Sequence, residues 1–336
     1  MDAMKLEKVL IIQTAFIGDV VLATPLIEAL HNSYPNARID FLLRKGNEGL
    51  LTNHPFLHKV LIWDKKAKKT KNLLQLISQV REEKYDAVFN AQRFFSSGLI
   101  TARSGAKYTA GFDKNPLSFT FSKKVTHHIS EKGTQHETER NLQLLEDFIV
   151  QPKANMKLYP QKSDFDKVLE YKSEAYIVIA ASSVWFTKQY PVNKWVELLV
   201  ALNNKYKIYF IGGPNDLAQA DEIIRKSKAA NCVNLCGQLN MLESAALMQD
   251  AKMNYVNDSA PMHFASAVNA AVSAVFCSTV PAFGFGPRSV KSHIIEIDHK
   301  LDCRPCGLHG KKECPEGHYK CAMDIKTEQL TKVLEE

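Results

Sequence analysis

The feature that most constrains this chain is an alternation of short apolar runs with helix-spaced segments, which occurs twice along its length. Lys8–Gln13 (KVLIIQ) has a buried-strand pattern, and apolar residues at helical spacing follow over Val20–Ser33. Thr24-Pro25 inside that stretch suits an N-cap and first-turn proline. Arg38–Leu43, Lys59–Trp63, Asp86–Asn90 and Lys107–Gly111 read as further strands, with a helix over Asn72–Glu82. Residues 151–175 are polar and proline-bearing, and read as a linker with an amphipathic helix. The alternation then restarts. Strands are expected at Tyr176–Ala180, Lys207–Ile211, Cys232–Leu235, Met253–Val256 and Ala271–Phe276. Helices are expected at Asn193–Asn204, Asp216–Ser227, Leu242–Gln249 and Pro261–Asn269. Strands alternating with helices form parallel, doubly wound sheets, so the expectation is an α/β protein with two such domains.

A length of 336 residues agrees with two domains. We place them at 1–165 and 166–336. A mixture of 45% hydrophobic and 24% charged residues excludes a disordered chain, a collagen and a disulfide-dense miniprotein. No apolar run reaches the ~18 residues of a membrane-spanning helix. The start, MDAMKLEKVLIIQ, carries charge within its apolar stretch and reads as a strand rather than a signal peptide. A cytosolic protein is expected. The net charge of +7 points to an anionic partner without choosing its kind.

In open α/β sheets ligands gather at the carboxyl ends of strands, so chemistry is sought in the loops that follow them. Thr14-Ala15-Phe16-Ile17-Gly18-Asp19 has one glycine, which excludes the dinucleotide fingerprint and the P-loop. Asp19 either caps the next helix or offers a carboxylate able to deprotonate a hydroxyl. In Asn257-Asp258-Ser259-Ala260-Pro261-Met262-His263, small residues open a helix whose N–H groups and dipole favour phosphate. His263, one turn on, is either interior or a phosphate contact. Ala181–Pro191 carries Ser182, Ser183, Thr187 and Lys188, groups suited to a diphosphate leaving group. Asp216, after Gly212-Gly213, either caps a helix or accepts ribose hydroxyls.

Taken in order, KVLIIQTAFIGDVVLATPLIEAL, HETERNLQLLE (136–146), SSVWFTKQYPVNKW, IGGPND and NDSAPMHFASA resemble glycosyltransferase family 9, the heptosyltransferases of lipopolysaccharide core assembly. The resemblance covers nearly the whole chain. It implies the GT-B fold, two Rossmann-like domains facing a cleft. It also implies transfer of a heptose from ADP-heptose to a core-oligosaccharide hydroxyl, with inversion and without a required metal. By the same resemblance Asp19 is the catalytic base and Lys188 contacts donor phosphate. Asp258, Ser259, Ala260 and His263 correspond to the donor motif, with Ser182, Ser183 and Thr187 beside Lys188. Asp216 matches the family's acidic ribose contact loosely. Ala260 replaces the motif's usual glycine. Alanine keeps the N–H, and only a positive φ there would strain it, by roughly 1 kcal/mol.

Four of the seven cysteines, Cys303, Cys306, Cys314 and Cys321, lie in a C-x₂-C-x₇-C-x₆-C segment within a loop at 302–321. A structural zinc, reduced thiols and disulfides all fit that spacing, and a cytosolic compartment argues against the last. Cys232, Cys236 and Cys277 read as core thiols. The basic run Lys65–Lys71 is either a solvated face or attracted to an anionic, lipid-linked acceptor at the inner membrane surface, where each lysine contributes ~1 kcal/mol. Phe94 and Phe95 would add interfacial contact; Trp63 either does the same or, as its position favours, ends a buried strand. Two other readings of the chain stand beside this one. One is a GT-B enzyme using another nucleotide-sugar. The other is a basic nucleic-acid-binding protein, for which no zinc-finger, RRM or KH signature is present.

Overall fold

The computed structural model describes residues 5–335, so Met1–Met4 at the start of the expected N-terminal strand lie outside the described residues. The chain forms two compact units. The first runs to Ile129 and adds His136–Tyr159; the second takes Ser130–Gln135 and everything from Pro160. The boundary therefore falls ahead of the expected 165/166. Helix Lys162–Val168, which a 165/166 boundary would cut, lies wholly in the second unit and packs on its Met241–Gln249.

The first unit holds strands β1 (Lys8–Ile12), β2 (Arg38–Arg44), β3 (Leu57–Trp63), β4 (Ala87–Asn90), β5 (Tyr108–Phe112) and β6 (Lys123–Val125). Its helices are α1 (Ile17–Ser33), α2 (Lys69–Glu82), α3 (Phe95–Arg103) and α4 (Glu137–Leu142). All strand pairs are parallel, in the order β3-β2-β1-β4-β5-β6. This is the dinucleotide-fold order, with its switch point between β1 and β4. Val9–Ile12 and Val88–Phe89 are fully buried, which is why these strands read as continuous apolar runs instead of alternating ones.

α1 begins three residues before the expected Val20, so Thr24-Pro25 lies inside the helix rather than at its start. Pro25 has no N–H for the Val21 carbonyl. The Thr24 hydroxyl donates to that carbonyl at 2.8 Å instead, and accepts the Lys157 N–H at 3.0 Å. The helix therefore tolerates the proline.

The second unit follows the same plan. Its helices are α5 (Lys162–Val168), α6 (Val192–Leu202), α7 (Leu217–Ser227), α8 (Met241–Gln249), α9 (Ala260–Ala267), α10 (Lys320–Met323) and α11 (Thr327–Lys332). Its strands are β7 (Tyr176–Ala180), β8 (Lys207–Phe210), β9 (Cys232–Asn234), β10 (Met253–Asn257), β11 (Val272–Val275) and β12 (Ser292–Ile295). The parallel order β12-β11-β10-β7-β8-β9 places the switch point between β7 and β10. Trp195, Leu198, Phe210, Tyr255 and Val275 pack in a core that also takes Cys236, Cys277 and Cys321. Among the described residues no helix is long and apolar enough to cross a membrane.

Candidate active site

In the first unit the post-β1 loop is held from several sides. The Gln13 amide accepts the Ala15 N–H at 3.1 Å and donates to the Ala91 carbonyl at 2.8 Å. Asn47 donates to the Ala15 carbonyl at 3.1 Å, and Lys65 Nζ to the Thr14 carbonyl at 2.7 Å. Lys65 is thus the member of the basic run that turns back onto the loop. Burial, followed by the charges of Arg44 and Lys69, pushes its pKa down to about 8. The Arg44 guanidinium stacks over the Phe16 ring at 4.8 Å, and that ring is 59% exposed.

Asp19 lies in the first turn of α1 and accepts the Phe16 N–H at 3.1 Å, so it does cap the helix. Capping leaves its other oxygen for chemistry. Burial raises its pKa to about 6, the charge of Glu137 adds to that, and the Phe16 N–H and Arg44 oppose it. A carboxyl so tuned is a better proton acceptor near neutral pH than an ordinary aspartate.

Glu137 lies in the HETERNLQLLE segment, where residue type alone assigns it no role. Its carboxylate is buried, receives Arg140 Nε at 2.7 Å, and lies 3.0 Å from His127 Nε2. Burial pushes its pKa up, but His127 and Arg140 outweigh this and hold it below the usual glutamate range. Asn141, in the same motif, donates to the Leu22 carbonyl at 2.9 Å and ties α4 to α1. Arg140 is an i, i+3 neighbour within the motif, but local spacing does not reveal the other two partners, because His127 precedes the motif and Leu22 is far from it in sequence.

In the second unit the two loops at the switch point meet. Lys188 Nζ lies 2.7 Å from Asp258 Oδ2, which also receives the Thr279 hydroxyl at 2.6 Å. Asn257, the last residue of β10, joins the loops: its Oδ1 accepts the Tyr190 N–H at 2.8 Å and its Nδ2 donates to the Ala181 carbonyl at 2.7 Å. Ser182 and Ser183 are half-buried in the same loop, with the Gln189 amide donating to the Ser183 carbonyl at 2.7 Å. Ser259 is the N-cap of α9, Ala260 its first residue, and His263 is buried one turn in. Ala260 is not among the positive-φ residues, so the departure from glycine carries no strain. The helix start offers fewer donors than its small residues suggest: Pro261 has no N–H, and the Met262 N–H bonds the Ser259 carbonyl at 3.1 Å.

Two expected donor contacts have local duties. Asp216 accepts the Gly213 N–H at 2.7 Å and caps the turn before α7. Thr187 is 1% exposed; its Oγ1 accepts the Lys311 N–H at 2.7 Å and the Ser278 hydroxyl at 3.0 Å. Thr187 therefore holds the loop in place and does not line it.

The zinc pattern is not realised as a ligand cluster. Among the described residues no group of three or more His, Cys, Asp or Glu side chains is arranged to hold a metal ion, and all seven cysteines are free thiols. Cys321 is in the unit core, Cys303 Sγ lies 3.9 Å from His318 Nε2, and the Cys306 N–H bonds the Ser278 carbonyl at 2.8 Å.

Comparison with known proteins places the chain in a family. The model of glycosyltransferase family 9 (heptosyltransferase) matches residues 73–320. Lipopolysaccharide heptosyltransferase 3 of Escherichia coli K12 is 29% identical over 283 residues, covering 79% of this chain and 81% of the relative. The glycosyl transferase family 9 structure from Veillonella parvula superimposes with a TM-score of 0.85 at 20% identity, over 99% of this chain and 98% of that one. Heptosyltransferase WaaC of E. coli, solved with ADP, gives 0.75 at 19% identity, over 98% and 99%. The two six-stranded parallel sheets are accordingly those of the GT-B architecture. The chain belongs to glycosyltransferase family 9, the heptosyltransferases, and is a glycosyltransferase.

Proposed function

We propose that this enzyme moves a heptose from an ADP-sugar to a hydroxyl of a lipopolysaccharide core oligosaccharide, with inversion and without a required metal. The observation that carries the reading is topological. The three motif loops, 14–19, 181–191 and 258–263, leave the switch-point strands β1, β7 and β10. Those are the positions where such sheets bind ligands. The nature of donor and acceptor rests on the family and on the named relatives.

In this mechanism Asp19 takes the proton of the acceptor hydroxyl as its oxygen attacks the anomeric carbon. The bond from that carbon to the diphosphate oxygen breaks on the opposite face, which inverts the centre. The departing ADP gathers negative charge on the diphosphate. Lys188, the Ser259–Ala260 start of α9 and His263 offset it, taking the place a metal ion holds in other transferases. Asp258 keeps Lys188 oriented until the donor's phosphate competes for it. Ser182 and Ser183 border the same position, and Asp216 at the neighbouring loop serves the ribose.

The acceptor reading draws on charge. Arg44 and Lys65 flank the Asp19 loop. Phe16 and Phe94, on the loops after β1 and β4, and Phe95, at the start of α3, are exposed by 59%, 53% and 56%. Bases beside exposed rings suit an anionic, lipid-linked glycan at the inner membrane surface. The test is a thermal-shift panel of ADP-, UDP- and GDP-sugars followed by product analysis. A shift with ADP-heptose and an inverted product support the reading; selective stabilisation by a UDP- or GDP-sugar overturns the donor assignment.

A further inference from the structure

The segment 303–321 is left without a task by the zinc reading, yet it grips the loop that carries Lys188. Lys311 and Thr187 exchange backbone contacts: the Thr187 N–H donates to the Lys311 carbonyl at 3.1 Å, and the Lys311 N–H donates to Thr187 Oγ1 at 2.7 Å. Gly310, at φ +74°, approaches so closely that a Cβ there would lie 2.9 Å from Lys188 Cγ and 3.0 Å from Thr187 Oγ1. The Tyr319 ring stacks on Phe186 with centroids 5.1 Å apart. Its hydroxyl reaches the carbonyls of both Phe186, at 3.0 Å, and Gln189, the residues on either side of Thr187-Lys188. The same segment anchors itself on the end of β11. Arg304 donates to the carbonyls of Cys277 and Thr279 at 2.7 and 2.8 Å, and pairs with Glu296 at 2.6 Å. Ser278 and Thr279 there contact Thr187 and Asp258 in turn.

We infer that residues 303–321 form a clamp that fixes the short helical turn Phe186–Lys188, with Tyr319 as its positioning residue and Gly310 as the point where the clamp meets Lys188. The inference rests on the reading of Lys188 as a diphosphate contact, since that is what makes its placement matter. A long lysine stem supplies a point charge that is useful only where its first carbons are held. The clamp holds them through the backbone on both sides and through Gly310 against Cγ. Tyr319 touches neither substrate nor reacting atoms in this account. It acts through the loop.

The test uses the full-length protein and two readouts. Tyr319→Phe keeps the stacked ring and removes the hydroxyl; Gly310→Ala puts a methyl group against the lysine stem. Hydrogen exchange of the 186–189 amides in the ligand-free protein reads the clamp directly, and ADP affinity by calorimetry reads its consequence. We expect faster exchange confined to that turn and an ADP affinity lower by about 5- to 10-fold in Tyr319→Phe, the loss of one hydrogen bond. Gly310→Ala should weaken ADP at least as much, without moving the acceptor KM. In a Lys188→Met background the Tyr319→Phe effect on ADP should vanish, because coupled residues are not additive. Unchanged exchange in both variants overturns the clamp. Faster exchange with an unchanged ADP affinity, or an equal loss in the Lys188→Met background, overturns its positioning role. If Lys188→Met alone leaves ADP affinity intact, the donor reading of Lys188 fails, and the exchange result still decides the clamp by itself.

Discussion

Lys188 Nζ and Asp258 Oδ2 are 2.7 Å apart, with side chains only 15% and 8% exposed, so the cation assigned to the leaving group is already paired with an anion. A buried pair broken on one side leaves the other charge uncompensated, which costs about 3–5 kcal/mol. Lys188→Met should therefore lower Tm as well as weaken ADP, and the Lys188→Met/Asp258→Asn double variant should recover part of the lost stability but none of the ADP affinity. Thermal melts and calorimetry on the three proteins check this. A double variant less stable than either single one would show that the two groups do not depend on each other.

The pKa of Asp19, raised to about 6, places a limb in the pH–rate profile. A base must be ionised, so kcat/KM should rise with pH through about 6 and fall about tenfold per unit below it. Burial is the main cause and the charge of Glu137 the next. Removing that charge by Glu137→Gln should shift the limb to lower pH. A limb that stays in place would remove Glu137 as a neighbour that tunes the base.

The same pKa has a consequence for stability, and its sign is fixed. The folded-state value stands above the ordinary 3.8, so the native state holds this proton more tightly than the unfolded chain. Ionisation then costs stability as pH climbs from about 4 to about 6, and the cost stays at higher pH. Asp19→Asn abolishes it while retaining an oxygen to accept the Phe16 N–H. The variant should melt higher than the parent near pH 8, by roughly 2–4 °C, and no higher near pH 4. A gap independent of pH would mean that Asp19 carries no ionisation penalty.

The basic run next to the site should act on an anionic surface. Replacing Lys66, Lys68, Lys69 and Lys71 with Gln, while keeping the half-buried Lys65, should abolish flotation with anionic vesicles at low salt and leave ADP affinity unchanged. Parent protein that fails to float under those conditions would remove the membrane from the account.

Much of the architecture is legible in the sequence because buried parallel strands are written as uninterrupted apolar runs. Val9–Ile12 and Ile177–Ile179 are examples, each fully buried. β6 and β12 escape that reading: at Lys123–Val125 and Ser292–Ile295 they are short edge strands with partly exposed residues. α1 starts early because Thr24 supplies the hydrogen bond that Pro25 withholds, a compensation that a proline rule does not contain. The site is legible to the extent that it lies in loops after strands. Asp19, Lys188 and Asp258 are identifiable there by residue type and motif. Glu137, Asn257, Tyr319 and Gly310 are not, because each matters through a partner distant in the chain. Thr187 shows the reverse: its hydroxyl suggests a ligand contact, and only the packing of 310–311 against it reveals a structural role.

The central claim is that Asp19 is the base, and turnover of Asp19→Asn at saturating ADP-heptose tests it most directly. General-base catalysis contributes about 10²–10⁴-fold, so kcat should fall by that factor while the donor KM stays near the parent value. Turnover close to that of the parent would contradict the account and leave Asp19 as a helix cap alone.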